Sequence, residues 1–179
     1  SLPGVFTMRT PQDAIDLREF LAQSGAKRAV VAGGGFIGLE VAENLMVQGL
    51  SVTVIDMADQ IMPGFDPDMA DYAKRHLESK GIKVRLNTRL EAVLGDVQAT
   101  GVKVPDGEIK AEVVVLSLGI RPNTAFLKDT GLDMMPNGTI VVDHQMKTNL
   151  DHIWAAGDCA CVTNRITGER AWSPMGSSA

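Results

Sequence analysis

A run of three consecutive glycines separates an apolar stretch from a helical stretch in residues 27–60, KRAVVAGGGFIGLEVAENLMVQGLSVTVIDMADQ. Arg28 to Ala32 has the β-branched, apolar character of a short strand buried in a parallel sheet. Phe36 to Gln48 has helical periodicity and stops before Gly49. The sequence therefore predicts a strand, a glycine turn and a helix in succession, which is the opening unit of a parallel α/β sheet.

Within this turn the spacing Gly33-x-Gly35-x-x-Gly38 matches the glycine pattern of dinucleotide-binding turns. The first glycine permits a tight turn, the second lets a diphosphate approach the main chain, and the third lets helix and strand pack closely. The helix that begins near Phe36 offers free amides and a partial positive charge to the diphosphate. We therefore predict a bound dinucleotide; the alternative is that the glycines only make a compact turn.

Asp56 ends the next apolar strand, LSVTVID, at the spacing where a carboxylate accepts hydrogen bonds from both hydroxyls of the adenosine ribose. A 2′-phosphate would be repelled there, because no Lys or Arg occurs between Asp56 and Lys74, while Asp59 and Asp66 add negative charge. The sequence thus predicts NAD(H) rather than NADP(H). The alternative is a strand-end aspartate that caps the following turn.

The remaining segments extend this pattern and then change it. One helix is predicted from its cap at Thr10 to Gly25, and another after the cap at Asp66-Pro67. Beyond Thr88, short strand-like pieces separated by GD and PDG turns predict an antiparallel meander, and Val113 to Gly119 predicts a strand that returns to the main sheet. The expected fold is α/β: a Rossmann-like three-layer NAD(P)-binding domain with a central parallel sheet, helices on one side and an antiparallel β-meander on the other.

Composition and charge exclude several function classes. The net charge of −5 gives no basic surface for nucleic acid. The longest apolar runs are far shorter than the roughly 20 residues that a spanning helix needs, and the first residues lack the basic-then-apolar layout of a signal peptide. Cys159 and Cys161 are too close for an ordinary disulfide framework and too few for a metal cluster. We expect a cytoplasmic chain with no nucleic-acid, membrane or metal partner.

Three blocks of sequence carry a family resemblance: RAVVAGGGFIGLEVAENL, LSLGIRPNTAFLKDTGL and TNLDHIWAAGDCA, in this order. Together they resemble the pyridine nucleotide-disulfide oxidoreductase family, and DMADQIMPGFDPDMA is similar to its NADH oxidase, NADH peroxidase and coenzyme A-disulfide reductase branch. The resemblance covers nearly the whole chain. It implies an NADH-binding domain inserted between two parts of an FAD-binding domain, in a homodimeric enzyme that passes hydride from NADH to flavin and electrons onward to a cysteine.

The resemblance also implies roles for single residues near the glycine turn. Asp56 would hold the ribose, and Glu40 would lie near the nicotinamide, although a surface glutamate matched to the helix dipole is the alternative. The diphosphate would be held by Gly33, Gly35, Phe36, Ile37 and Gly38. Gly119 would line the nicotinamide end, and its alternative is a turn glycine after a strand.

By the same resemblance, residues 1–146 form the NAD(H)-binding domain with an N-terminal linker and helix, and residues 147–179 form an incomplete return segment of the FAD-binding domain. Asp158 would bond the FAD ribitol, with a helix cap as the alternative. Cys159 and Cys161 do not match the redox cysteine, which would lie outside this chain with the dimerisation domain, and are expected to be small buried residues. The chain alone would be inactive, with no catalytic residue. The terminal acceptor is left open among disulfide, peroxide, oxygen and polysulfide.

Two other functions fit the glycine pattern. A freestanding NAD-dependent dehydrogenase would need a proton-transfer residue near the nicotinamide, whereas His76, His144 and His152 are remote from the glycines in sequence. A non-catalytic NADH-sensing domain would need an interaction surface or a DNA-binding segment, and the sequence indicates neither.

Overall fold

The computed structural model describes residues 2–174, so Ser1 and positions 175–179 of the predicted return segment lie outside the described residues. The helices are α1 (Pro11–Ser24), α2 (Phe36–Val47) and α3 (Pro67–Ser79), with 3-10 turns at Ala125–Leu127 and Gly157–Cys159. The strands are β1 (Val5–Thr7), β2 (Arg28–Ala32), β3 (Ser51–Ile55), β4 (Lys83–Arg85), β5 (Ala92–Leu94), β6 (Gly101–Val104), β7 (Gly107–Lys110), β8 (Val113–Leu116), β9 (Ile140–Val141), β10 (Ala160–Thr163) and β11 (Arg170–Ala171).

The chain divides into two compact units, Ser1–Gly119 and Ile120–Ala179. The first unit holds a five-stranded sheet in the order β1-β8-β2-β3-β4, whose strand pairs are all parallel, and the antiparallel meander β5-β6-β7. The second unit holds a three-stranded sheet in the order β11-β10-β9. The predicted boundary at residues 146 and 147 concerns the domain of a parent protein to which each segment belongs, and it stays a prediction.

Side chains of the central strands alternate between two cores in the first unit. Ala29 and Val31 of β2 pack with residues of the three helices, whereas Val30 and Ala32 pack with residues of the meander. This is the period of two that a strand imposes on its side chains. Both faces of the sheet are therefore covered, which confirms the predicted three-layer α/β fold.

The first helix begins and ends where the sequence predicts. Thr10 and Asp13 form a capping box: the Thr10 side chain accepts from the Asp13 amide, and the Asp13 carboxylate accepts from the Thr10 amide. Such a cap stabilises a helix by about 1 kcal/mol. Gly25 follows the helix in the left-handed conformation, with φ of 63°. Asp66 occupies the predicted cap position of α3, but its side chain makes no capping hydrogen bond.

One strand of the main sheet was not predicted. β1 pairs in parallel with β8 and places Val5 opposite Val114, at the edge of the sheet. A three-residue strand is too short to show an alternating pattern. Its position depends on β8, a strand more than a hundred residues further along the chain, so local sequence carries little signal for it.

One carboxylate joins two strands at the amino end of the main sheet. Glu112, just before β8, accepts hydrogen bonds from the main-chain amides of Lys27 and Arg28 at 3.1 and 2.9 Å. It also forms an ion pair with the Arg28 guanidinium, whose Nε lies 3.0 Å from Oε1. The hydrogen bond from the Arg28 side chain, followed by those from the two amides, lowers the pKa of Glu112 to about 2. Glu112 thus joins the start of β2 to the start of β8.

The second unit has a small core of four buried residues: Ile140, Val142, Ala155 and Ala160. Cys161 is buried and Cys159 is half-buried, with its Sγ 3.3 Å from the Ala156 carbonyl oxygen, and both cysteines are free. The expectation that both are small buried residues is therefore met by Cys161 and not by Cys159. Among the described residues, no helix is both long enough and apolar enough to cross a membrane.

Candidate functional site

The glycine turn lies at the carboxyl end of β2, between its neighbours β8 and β3. The Gly33 amide donates to the carbonyl of Ile55 at 2.8 Å, which ties the turn to the end of β3. The first helical hydrogen bond of α2 runs from the Leu39 amide to the Gly35 carbonyl at 3.0 Å. The amides at the start of α2 point out of the helix without a partner in it. They are available to an acceptor above the turn.

The three glycines of the pattern differ in what surrounds them. Gly33 has φ of +113°, and a Cβ there would lie 2.1 Å from the Ser117 carbonyl oxygen. A Cβ on Gly38 would lie 2.0 Å from the Gly33 carbonyl oxygen, so the helix packs directly on the strand end. Gly35 is different, because a Cβ there would meet nothing within 4 Å. Only Gly35 is therefore free of a packing requirement, and its open face fits a diphosphate that approaches the main chain.

Gly34 is a further residue of the turn, and the sequence pattern did not predict its contacts. Its amide donates to Asp56 Oδ2 at 2.6 Å, and its carbonyl accepts from the Met62 amide at 2.9 Å. A Cβ at Gly34 would lie 3.0 Å from Ile61 Cγ2. These two hydrogen bonds hold the segment after β3 against the glycine turn. The signal was that the middle one of the three consecutive glycines stands at a position where the spacing pattern requires no glycine.

Asp56 stands directly behind the turn. Besides Gly34, its carboxylate accepts from the Ala58 amide through Oδ1, at 2.8 Å. The alternative interpretation, a strand-end aspartate that caps the following turn, is therefore correct as a description of these bonds. Each carboxylate oxygen has two lone pairs, so both oxygens retain capacity for a ribose hydroxyl. Ribose binding at Asp56 stays a prediction.

The first turn of α2 presents apolar and acidic side chains to solvent. Phe36 and Ile37 are 55% and 44% exposed, which is high for large apolar residues. The Phe36 ring packs edge-on against Phe65, with ring centroids 5.7 Å apart. Glu40 is exposed one turn further along the helix, and its carbonyl accepts from the Asn44 side chain. The surface around the bend therefore offers apolar side chains beside free amides.

The end of β8 borders the same turn. Ser117 follows β8 and donates its amide to the Ala32 carbonyl at 2.8 Å. Leu118 is 67% exposed, and Gly119 has φ of +88° with nothing within 4 Å of a built Cβ. The turn-glycine interpretation of Gly119 accounts for its backbone. The open space beside it is compatible with the predicted nicotinamide end.

Residues 1–174 of the sequence match the model of a family described as "Pyridine nucleotide-disulphide oxidoreductase". The chain belongs to this family. An NADH oxidase of Methanocaldococcus jannaschii is 38% identical over 179 residues, which are 99% of this chain and 40% of that protein. The chain thus spans about 40% of the length of the curated oxidoreductases that it matches.

Two solved oxidoreductases share the fold. An NAD-dependent persulfide reductase from A. fulgidus superimposes with a TM-score of 0.91 at 37% identity, over 99% of this chain and 33% of that chain. The water-forming NADH oxidase from Lactobacillus brevis, bound to NADH, gives a TM-score of 0.88 at 31% identity, over 99% of this chain and 40% of that chain. An engineered form of that oxidase, bound to NADPH, gives the same score and identity.

The residues predicted for this oxidoreductase site do not all lie in one unit. The glycines at 33, 35 and 38 lie in the first unit with Phe36, Ile37, Glu40, Asp56 and Gly119. Asp158 lies in the second unit, in the 3-10 turn at Gly157–Cys159, where it is exposed. Its carbonyl accepts from Trp172 Nε1 at 2.8 Å. The predicted contact of Asp158 with the FAD ribitol stays a prediction.

Proposed function

We propose that this chain is the NADH-binding module of an FAD-dependent oxidoreductase. The observation that carries the proposal is the open main chain at Gly35. This position lies at the start of α2, with packed glycines on both sides and the Asp56 carboxylate behind the turn. A compact turn alone would leave no reason for Gly35 to be a glycine, since its φ is −78° and any residue would fit.

The diphosphate would bind at the amides of Phe36 and Ile37. A 12-residue helix begins here, and the partial positive charge at its start favours a phosphate group. The described chain places no Lys or Arg between Asp56 and Lys74. The main-chain amides at the start of α2 would therefore supply positive partial charge to the diphosphate, and the affinity would depend on the shape of the turn.

Asp56 would favour NADH over NADPH. A carboxylate accepts from the two ribose hydroxyls of NADH, whereas a 2′-phosphate would meet its negative charge. The engineered NADPH-bound oxidase supports this assignment. It replaces an aspartate by alanine and places an arginine at the next position, and that aspartate follows a replaced glycine at the same separation as Asp56 follows Gly38.

The nicotinamide end would lie toward Gly119, with Glu40 nearby on α2. When bound, NADH supplies a hydride and FAD accepts it. This chain would hold the nicotinamide in place for that transfer, and it would contribute no proton-transfer residue. The terminal acceptor in the parent would be a disulfide, peroxide, oxygen or polysulfide, and the relatives include NADH oxidases and polysulfide or persulfide reductases by name. FAD binding through Asp158, homodimer formation and a cytoplasmic location are further parts of the proposal.

A freestanding dehydrogenase is less well supported. His76 is in the last turn of α3, and this helix starts after the carboxyl end of β3 and runs back toward the amino end of the sheet. His76 is thus placed away from the glycine turn. His144 and His152 belong to the second unit. The coding sequence on both sides of this chain discriminates the two functions, since a flavoprotein parent would carry a flavin fingerprint and a redox cysteine.

Calorimetric titration with NADH and NADPH tests the proposal directly. The unmodified chain is expected to bind NADH at least about tenfold more tightly than NADPH. A double variant, Asp56→Ala with Met57→Arg, is expected to lose this preference because it exchanges the repelling charge for an attracting one. Asp96→Ala is the matched control, since it removes an exposed acidic residue from the turn between β5 and β6, outside the glycine turn. An unchanged preference in the double variant would remove Asp56 from the site.

A further inference from the structure

Ser117 carries a hydroxyl that the fold leaves without a partner. Within residues 2–174, its Oγ is the one buried side-chain oxygen or nitrogen that makes no hydrogen bond. An unpartnered buried hydroxyl destabilises the fold relative to a hydroxyl that makes a hydrogen bond. The residue directly follows β8, at the carboxyl edge of the main sheet. An alanine at position 117 would avoid this unsatisfied group and fit the unliganded fold at least as well. A hydrogen-bond partner from outside the chain would explain the hydroxyl.

The surroundings of Ser117 place this hydroxyl under the glycine turn. The Ser117 carbonyl oxygen is the atom that a Cβ on Gly33 would strike, at 2.1 Å. The Ser117 Cβ is 3.4 Å from the position of a Cβ on Gly38. Ser117 is therefore packed between the first and third glycines of the pattern, and it forms the floor of the turn whose outer side is open at Gly35.

A hydroxyl in this position can reach a ligand through one water molecule. Ser117 as a residue is only half-buried, although its Oγ is covered. A buried water needs two to four polar partners. A hydroxyl, an amide of the turn and a phosphate oxygen would supply three.

We propose that Ser117 is a positioning residue for the diphosphate of the bound dinucleotide, to which its hydroxyl is linked by one water molecule in the floor of the glycine turn. This inference rests on the proposed NADH-binding function and adds a polar contact from β8, an element outside the glycine pattern. It also predicts that the contact depends on the diphosphate and is independent of the nicotinamide.

The test compares Ser117→Ala with the unmodified 179-residue chain by calorimetric titration with NADH and with ADP-ribose. The variant is expected to bind both ligands about fivefold more weakly, because a water-mediated hydrogen bond is nearly as favourable as a direct one. The unfolding midpoint of the unliganded variant is expected to equal or exceed that of the unmodified chain, because the substitution removes an unpartnered hydroxyl. A purely structural role would lower that midpoint.

Two further variants complete the test. Ser51→Ala removes a hydroxyl from the exposed start of β3, at the opposite end of the same sheet, and is expected to leave both affinities unchanged. Ser117→Cys replaces the hydroxyl by a somewhat larger thiol that is only a weak hydrogen-bonding group, so it is expected to lose affinity in the same direction as Ser117→Ala.

The outcomes separate the inference from the function on which it rests. If the unmodified chain binds neither NADH nor ADP-ribose, both proposals are wrong. If the unmodified chain binds and Ser117→Ala binds as tightly, only the role of Ser117 is overturned. A loss confined to NADH, or a lower unfolding midpoint without ligand, also contradicts the role. Equal losses for both ligands with an undiminished midpoint support it.

Discussion

The two ends of the parallel sheet are built in opposite ways from the same strands. At the amino end, Glu112 accepts hydrogen bonds from two main-chain amides and pairs with Arg28, so β2 and β8 start from a closed junction. At the carboxyl end, glycines replace side chains and leave main-chain amides accessible at the start of α2. Large apolar residues, Phe36 and Leu118 among them, are also exposed there.

The amino end of the main sheet therefore contributes to the stability of the fold, whereas the carboxyl end is available for ligand binding. A side chain satisfies the main chain at one end, which stabilises the fold. At the other end the main chain stays unsatisfied and can accept a ligand. Substitutions at the amino end should therefore alter the free energy of unfolding alone. Substitutions at the carboxyl end should alter ligand affinity, except where a glycine is also packed.

Gly33→Ala should show the largest effect, because Gly33 is packed as well as placed at the open end. A Cβ would press on the Ser117 carbonyl, and alanine is strained at φ of +113°. We expect the free energy of unfolding to fall by about 3 kcal/mol or more, with loss of NADH binding. Urea unfolding followed by circular dichroism measures the change. An unaltered midpoint would show that the turn is not held as described.

Gly35→Ala should lower NADH affinity without changing the stability of the fold. The added Cβ meets no protein atom within 4 Å, so the free energy of unfolding should change by less than about 0.5 kcal/mol. It occupies the space proposed for the diphosphate, and NADH affinity should fall by about 100-fold. Gly64→Ala is the matched control, since a Cβ at Gly64 also meets nothing within 4 Å. Equal NADH affinities for the two variants would contradict the proposed site.

Glu112→Gln should produce the smallest of these effects, and it should be confined to stability. The pKa of Glu112 is lowered to about 2 from an ordinary 4.5, so ionised Glu112 stabilises the fold above about pH 4.5. This contribution is lost as the pH falls from there through 2. Because the Arg28 side chain is 47% exposed, solvent screening reduces the contribution to about 1 kcal/mol.

The pH dependence provides the measurement for Glu112. Unfolding of the unmodified chain and of Glu112→Gln, followed between pH 7 and pH 2, should differ most at pH 7 and converge toward pH 2. NADH affinity at pH 7 should be the same for both proteins. A difference in stability that grows toward low pH, or a change in NADH affinity, would contradict the assignment of stability to the amino end of the sheet and of binding to the carboxyl end.

Local signals predicted the parts of the fold that local physics determines. The helix cap at Thr10, the buried β2 and the glycine turn are each specified within a few residues, and the structure confirms them. Contacts between distant residues were not predictable in this way. Glu112 and Arg28 are 84 positions apart, and no pattern around either residue indicates the other.

The site was predictable to the same extent. Gly33, Gly35 and Gly38 could be assigned because their spacing has a known geometric meaning. Gly34 and Ser117 could not, since their importance arises from the residues that fold against them, Asp56 and Gly33 among others. In the second unit, β9 and β11 are two residues long and show no period, so only the family resemblance assigned a role to that segment.

The hydrogen bond from the Gly34 amide to Asp56 has a consequence for redesigning cofactor preference. Asp56, which would discriminate between the riboses of NADH and NADPH, also accepts hydrogen bonds that support the glycine turn proposed to bind the diphosphate. Removing the carboxylate to admit NADPH leaves the amides of Gly34 and Ala58 without an acceptor. The substitution would therefore destabilise the turn while it allows NADPH to bind. A successful conversion needs a replacement acceptor for those amides as well as a positive charge for the new phosphate.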